Sequence, residues 1–212
     1  MSQLRGGGST NPNDLIITPF NLDDWVPLFS HPTKMAVTKN ALPLTTSKQG
    51  KPIIVRGDYA ATLPYLPREW LLDFKFMPIK FTDYSYSEFF LHMTVGGRGY
   101  GEYVTSLYRI RGNNRKNELF VKFAANNRET VTKNLSTLTL NEWIHIEISQ
   151  ELMPGKATYL YKVEINGDVA LAMENSQDKY FENVKVYPGH PRNQYISGYI
   201  KDLVIMAKPD KV

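Results

Sequence analysis

Residues 141–207 alternate between apolar and polar side chains with a period of two. Ile144, Ile146 and Ile148 fall on one face, and Trp143, His145 and Glu147 on the other. Ala157, Tyr159, Tyr161, Val163 and Ile165 line one face of the next segment. Successive side chains point to opposite sides only in a strand, so the pattern commits this stretch to sheet with one buried face. Asn166-Gly167 is a hairpin signal, because a type I′ turn needs positive φ at both central residues. A counter-strand from Val169 to Met173 and a polar loop from Asn175 to Lys179 follow. Phe181–Tyr187 and Tyr195–Met206 complete the run of antiparallel strands.

The same reading extends toward the N-terminus. Trp70, Leu72, Phe74 and Phe76 share a face, with Leu71, Asp73, Lys75 and Met77 opposite. Pro78 is expected to end that strand, since proline cannot donate to a ladder. In Glu88–Val95 the alternation places Phe89, Leu91, Met93 and Val95 inward and His92 and Thr94 outward. Strands over Glu102–Ile110, Glu118–Ala125 and Glu129–Lys133 follow, with turns between them. Shorter strands are expected at Leu15–Thr18, Met35–Val37, Ile53–Val55 and Tyr59–Thr62. Gly96–Gly101 reads as a flexible turn, because the phosphate-cradling alternative needs a helix after it and a strand follows instead.

Val, Ile, Thr, Tyr and Phe are plentiful, and helix-favouring blocks are scarce, so the fold class is all-β. About a dozen strands must curl, close or split into two layers. The expectation is a two-sheet antiparallel β-sandwich, a jelly roll, in one domain over 15–207. Residues 1–14 read as a flexible arm or linker and 208–212 as a polar tail.

Apolar residues make up 42% of the chain, enough for a substantial core. The net charge of +4 is mild, and no recognition motif accompanies it, so nucleic acid is not an expected partner. The absence of cysteine rules out disulfides and thiolate metal sites. No apolar run approaches the roughly 20 residues of a membrane span. Met1–Thr10 is polar and Gly-rich, without the apolar run of a secretory signal.

Three segments carry a family resemblance: Glu142-Trp143-Ile-His145-Ile, the hairpin Tyr161-Lys-Val163-Glu-Ile165-Asn166-Gly167, and the closing pair Phe181–Tyr187 with Gly198–Leu203. Their order resembles the concanavalin A-like lectin/glucanase superfamily, in particular its laminin-G-like and pentraxin-like jelly rolls. The resemblance implies a carbohydrate- or protein-binding role, with a glycosidase branch. The Glu-x-Asp-x-x-Glu strand of that branch is not reproduced by Glu142, Glu147, Glu151, Glu164, Asp168, Glu174, Asp178 or Glu182. The chain is therefore expected not to be an enzyme. The galectin arrangement is not reproduced either.

The expected function is non-enzymatic carbohydrate recognition in adhesion or host contact, at an extracellular, cell or particle surface. Its partner would be a glycan or glycoprotein, with a homo-oligomer as a further possibility. The alternative is a structural or assembly module. Candidate ligand-binding residues are His92, Arg98, Tyr100, Tyr103, Arg109, Arg111, Asn113, Arg115, Trp143 and His145. Tyr and Trp would stack on sugar rings while Arg, Asn and His bond hydroxyl or acidic groups. For Trp143 and His145, packing under a loop is favoured over binding, and for the basic residues of 98–116 a charged edge that blocks aggregation is favoured likewise. His31, His92, His145 and His190 lack metal-ligand spacing, so no metal and no cofactor is expected. Asp168 and Asp178 alone do not make a dense calcium loop. Asn134-Leu-Ser136 is a glycosylation sequon that matters only on export.

Overall fold

The computed structural model describes residues 26–27, 51–52, 61–81, 87–95, 103–111, 117–125, 129–176, 180–190 and 197–207. They form strands and connections, with no helix among them. In chain order the strands are β1 (Val26–Pro27), β2 (Lys51–Pro52), β3 (Ala61–Leu66), β4 (Trp70–Lys80), β5 (Glu88–Val95), β6 (Tyr103–Arg111) and β7 (Asn117–Ala125). They continue with β8 (Glu129–Thr137), β9 (Ile144–Leu152), β10 (Tyr159–Ile165), β11 (Asp168–Asn175), β12 (Phe181–Tyr187) and β13 (Ser197–Ala207). One sheet has the order β1-β13-β4-β9-β10-β11, with β2 also pairing β13; the other has the order β3-β12-β5-β6-β7-β8. Every pairing is antiparallel. The all-β sandwich and its two layers are those expected from the alternation.

The core is the set of inward residues that the period-two pattern marks. Trp70, Leu72, Phe74 and Phe76 of β4 meet Ile144, Ile146 and Ile148 of β9, and all are buried. They pack against Leu91, Met93, Leu107, Val121 and Phe123 of the second sheet. Tyr161 of β10 ties the layers together. Its ring lies 3.7 Å from that of Phe123, nearly parallel at 5°. Its hydroxyl shares a 2.9 Å hydrogen bond with Thr105 of β6. A second bridge runs from Asn175, which donates to the Ala124 carbonyl at 3.2 Å and to Gln150 at 2.8 Å. Asn175 was expected to open a loop; it instead ends β11 and is buried, because its amide satisfies groups from both sheets.

Two expectations about strands are corrected. Pro78 does not end β4, which runs on to Lys80. Pairing with β9 stops at Phe76, so Pro78 is asked for no N–H there, while its carbonyl accepts from Asn141 at 2.7 Å. Phe89 does not face the core. Glu88 and Phe89 pair with Arg109 and Tyr108, but Leu91 pairs with Leu107, so Phe90 is an inserted bulge residue. Phe90 takes the core place, 4.1 Å from Phe76, and Phe89 turns outward onto Tyr108. Register also shifts between Met93 and Thr94, with Val104 as the extra residue on β6.

At one end of the core Arg109 donates to Glu88 at 2.6 Å, with the two side chains 2% and 0% exposed. Arg109 also donates twice to the Asn117 side-chain oxygen, at 3.0 and 2.7 Å, and its guanidinium lies 4.8 Å from the Phe81 ring. Removing one member of such a buried pair costs about 3–5 kcal/mol. The exposed Lys75–Asp202 pair at 3.4 Å belongs to the class worth about 0–1 kcal/mol.

The expected elements at Leu15–Thr18, Met35–Val37, Ile53–Val55 and Gly96–Gly101, the 1–14 and 208–212 segments, and His31 and Asp178 lie outside the described residues.

The β10–β11 hairpin turns at Asn166 (φ 55°) and Gly167 (φ 90°), the conformation expected for that dipeptide. Gly198 is needed for a different reason: a Cβ there would run into the Met77 carbonyl oxygen of β4. Gly167→Ala is expected to cost about 1–2 kcal/mol of stability, from backbone conformation alone. Gly198→Ala is expected to cost more, because two paired strands must separate. Urea denaturation of both variants checks the order.

Candidate functional site

Alternation leaves the outer face of the six-stranded sheet to the residues between the core positions, and cross-strand register sets them in rows. One row is Tyr187–His92–Ser106–Lys122–Thr132, across β12, β5, β6, β7 and β8. Beside it runs Phe89–Tyr108–Phe120–Asn134. On the other side runs Thr62–Lys185–Thr94–Tyr103. Phe89 and Tyr108 stack at 5.2 Å, and Tyr108 and Phe120 at 5.8 Å, making an aromatic ladder over three strands. Lys122 Nζ sits 4.0 Å above the Tyr103 ring.

His92 is the centre of this face. The rings of Phe89, Tyr103, Tyr187 and His190 surround it, at 5.9, 5.3, 6.1 and 4.5 Å. His190 is brought there by Gly189, whose positive φ turns the chain and whose N–H donates to the Phe90 carbonyl at 2.9 Å. Burial, with the charges of His190 and Lys122 adding to it, holds the His92 imidazole down to a pKa of about 3. It is neutral at physiological pH. Nδ1 and the Ser106 hydroxyl share a 2.6 Å hydrogen bond. Two buried side-chain atoms among the described residues have no partner, Trp70 Nε1 in the core and His92 Nε2 on this face. In either tautomer Nε2 has one hydrogen bond to give or to take.

The face has two halves. Phe89, His92, Tyr108, Tyr187 and His190 are buried. Tyr103, Phe120 and Lys122 are partly open, and Thr132 and Asn134 are exposed. A ligand reaching this face meets the open half first, with the imidazole cluster as its floor.

Of the sequence candidates, the structure brings His92 and Tyr103 together here. Arg109 is committed to Glu88 inside the sandwich. Arg111 closes β6, while Arg98, Tyr100, Asn113 and Arg115 lie outside the described residues. His145 is on β9 of the other sheet and Trp143 immediately precedes that strand, so neither joins His92. Trp143 lies under Lys201 Nζ at 3.8 Å, and His145 Nε2 meets Asp73 at 2.6 Å. The residues that sequence reasoning missed are Ser106, Lys122, Phe120, Tyr187 and His190. The parity of β7, with Leu119, Val121 and Phe123 inward, already sends Phe120 and Lys122 outward. Nothing local marks the meeting of His190 with His92.

The outer face of the seven-stranded sheet has a different chemistry. Asp73, Glu147 and Glu164 stand directly opposite one another on β4, β9 and β10. Like charges in such positions repel. His145 meets Asp73, Lys162 meets Glu164 at 3.3 Å, and Glu147 is hydrogen-bonded to Glu164. Burial first, then the bond to Glu164 and its charge, raise Glu147 to a pKa of about 7. Among the described residues no cluster of three or more His, Cys, Asp or Glu is set to hold a metal.

No protein-family model matches the sequence, and no curated protein does. Solved structures do match. The heptameric SAP-like pentraxin from Limulus polyphemus is 13% identical at a TM-score of 0.46, covering 69% of this chain and 67% of its own. Alginate lyase AlyC3 in complex with dimannuronate is 12% identical at 0.48, covering 69% and 66%. The metal-free carbohydrate recognition domain of Emp46p is 6% identical at 0.47, covering 79% and 86%. The chain spans 55% of the length of the alginate lyase from Alteromonas sp. 272 and 35% of that of the botulinum neurotoxin serotype G binding domain. The architecture of the described residues is a two-sheet antiparallel β-sandwich, and the likenesses concern that sandwich rather than the site. The expectation that the chain is not an enzyme is corrected: alginate lyases recur among the matching structures, so this sandwich gives no ground for excluding catalysis. The missing glycosidase strand excludes one arrangement only.

Glu147 and His92 make stability depend on pH with opposite signs. Glu147 is raised from 4.5 to about 7, so its contribution is present below 4.5 and lost as pH rises through 7. His92 is lowered from 6.5 to about 3, so its contribution is present above 6.5 and lost as pH falls toward 3. Glu147→Gln is expected to remove the decline of stability between pH 5 and 8 and keep the acid limb. Urea denaturation midpoints across that range check it.

Proposed function

We propose that this protein recognises a carbohydrate on the outer face of its six-stranded sheet. The observation that carries this reading is the cross-strand arrangement centred on His92: an aromatic ladder, the exposed Thr132 beside it, and a buried imidazole nitrogen without a partner. Sugars present apolar C–H faces and outward hydroxyls. An aromatic surface edged by donors and acceptors meets both demands. A neutral imidazole suits a hydroxyl better than an imidazolium does, since it can donate or accept with little desolvation of charge. Thr132 and Asn134, exposed on β8, supply further polar contacts at the open rim.

The setting that goes with this reading is contact with a glycan- or glycoprotein-bearing surface. An apolar floor under a polar rim is also what an acting enzyme needs to hold its substrate, so binding and turnover are measured together.

A glycan array followed by calorimetry tests the reading. Tyr103→Ala and Phe120→Ala are each expected to weaken binding by about five- to tenfold, the loss of one aromatic contact. Reducing-end release in the same samples reports any cleavage. If Trp143→Ala abolishes binding and Tyr103→Ala does not, the site lies on the other sheet and this reading falls.

A further inference from the structure

We infer that the ligand of this face is an acidic glycan, whose carboxylate or sulfate is held by Lys122; the inference rests on the reading of the face as a carbohydrate site. None of the residues in the three rows is Asp or Glu, whereas Lys122 and Lys185 both stand in them. The contrast with the rest of the surface is direct. Lys75, Lys156 and Lys162 each meet a carboxylate, at 3.4, 3.0 and 3.3 Å. Lys122 meets no carboxylate among the described residues; it is held over the Tyr103 ring. A ring face engages one side of an ammonium and leaves its other donors for a ligand.

Position makes Lys122 the charge a ligand meets. It is partly open, while its row neighbour His92 is buried and neutral. It stands between Ser106 and the exposed Thr132 and on the same strand as Phe120. A sugar ring lying on Phe120 or Tyr103 would place a ring substituent at Lys122 and its hydroxyls toward Thr132 and Asn134. An ammonium without an acid partner also disfavours a neutral ligand, because covering it strips water and returns no charge.

Calorimetry with matched pairs tests this: tetragalacturonate against its methyl ester, and a heparin tetrasaccharide against its desulfated form. In at least one pair the acidic member is expected to bind about tenfold tighter, the effect of one charge-assisted hydrogen bond. The preference should shrink between about 50 and about 300 mM salt. The responding pair shows whether carboxylate or sulfate is the group held. Lys122→Gln is expected to bring the acidic member down to its neutral counterpart while the fold stays intact, the melting temperature falling by no more than about 2–4 °C from the lost ring contact, and Lys122→Arg to keep the preference. Equal binding within both pairs, or a preference that survives Lys122→Gln, overturns the inference and leaves the carbohydrate reading in place. If no member of either pair binds, and the array is also blank, the reading of the face falls with it.

Discussion

The sandwich depends on the contact of Tyr161 with the opposite sheet. Its ring stacks on Phe123 and meets Trp70 edge-on at 6.2 Å, and its hydroxyl is bonded to Thr105. Burial raises the pKa of that hydroxyl, so it stays a neutral hydrogen-bonding group. One side chain thus supplies a large apolar area and a directional bond in the same place. The area holds the layers together; the bond sets how they lie against each other, since an unpartnered hydroxyl there would cost about 1–3 kcal/mol.

That constraint uses up the inner faces and leaves two outer ones, which solve different electrostatic problems. On the seven-stranded sheet three carboxylates stand in a row, with a histidine against the first, a lysine against the third and a hydrogen bond between the second and third. On the six-stranded sheet the corresponding rows hold rings, hydroxyls and cations without carboxylates. The first face is settled by its own internal pairing. The second has an unused imidazole nitrogen and a lysine without an acid partner among the described residues.

The alternating residues made most of the fold legible. Ile144, Ile146 and Ile148, the Trp70–Phe76 series and the Asn166-Gly167 turn take the places their pattern assigns. The departures have separate local causes. Alternation counts residues, and a bulge adds one: the inserted Phe90 turns Phe89 outward, while His92, beyond the bulge, faces outward as the alternation assigns. Pro78 was read from its own chemistry, whereas the outcome depended on where its neighbour β9 stops pairing. The site was less legible than the fold. Tyr187 and His92 are far apart in the chain and become neighbours only through the β12–β5 pairing. Arg109 looked like a surface cation until Glu88 and Asn117 were seen to enclose it. His145 shares β9 with the core isoleucines, and Trp143 just before it lies under Lys201 of β13, both on the layer that does not hold His92.

The strict division between inward and outward residues on β5 to β8 has an evolutionary consequence. Leu107, Val121 and Phe123 maintain the fold, while the partly open Phe120 and Lys122 lie outside the core cluster. The core and the recognising surface are written on the same strands in interleaved positions, so each can drift without the other. A lineage of such sandwiches would keep its architecture while changing what it recognises, and overall sequence identity would record mainly the drift of the outer positions. One-residue insertions would be the exception. As Phe90 shows, a single added residue exchanges the two sets locally, turning the neighbouring side chain to the outer face.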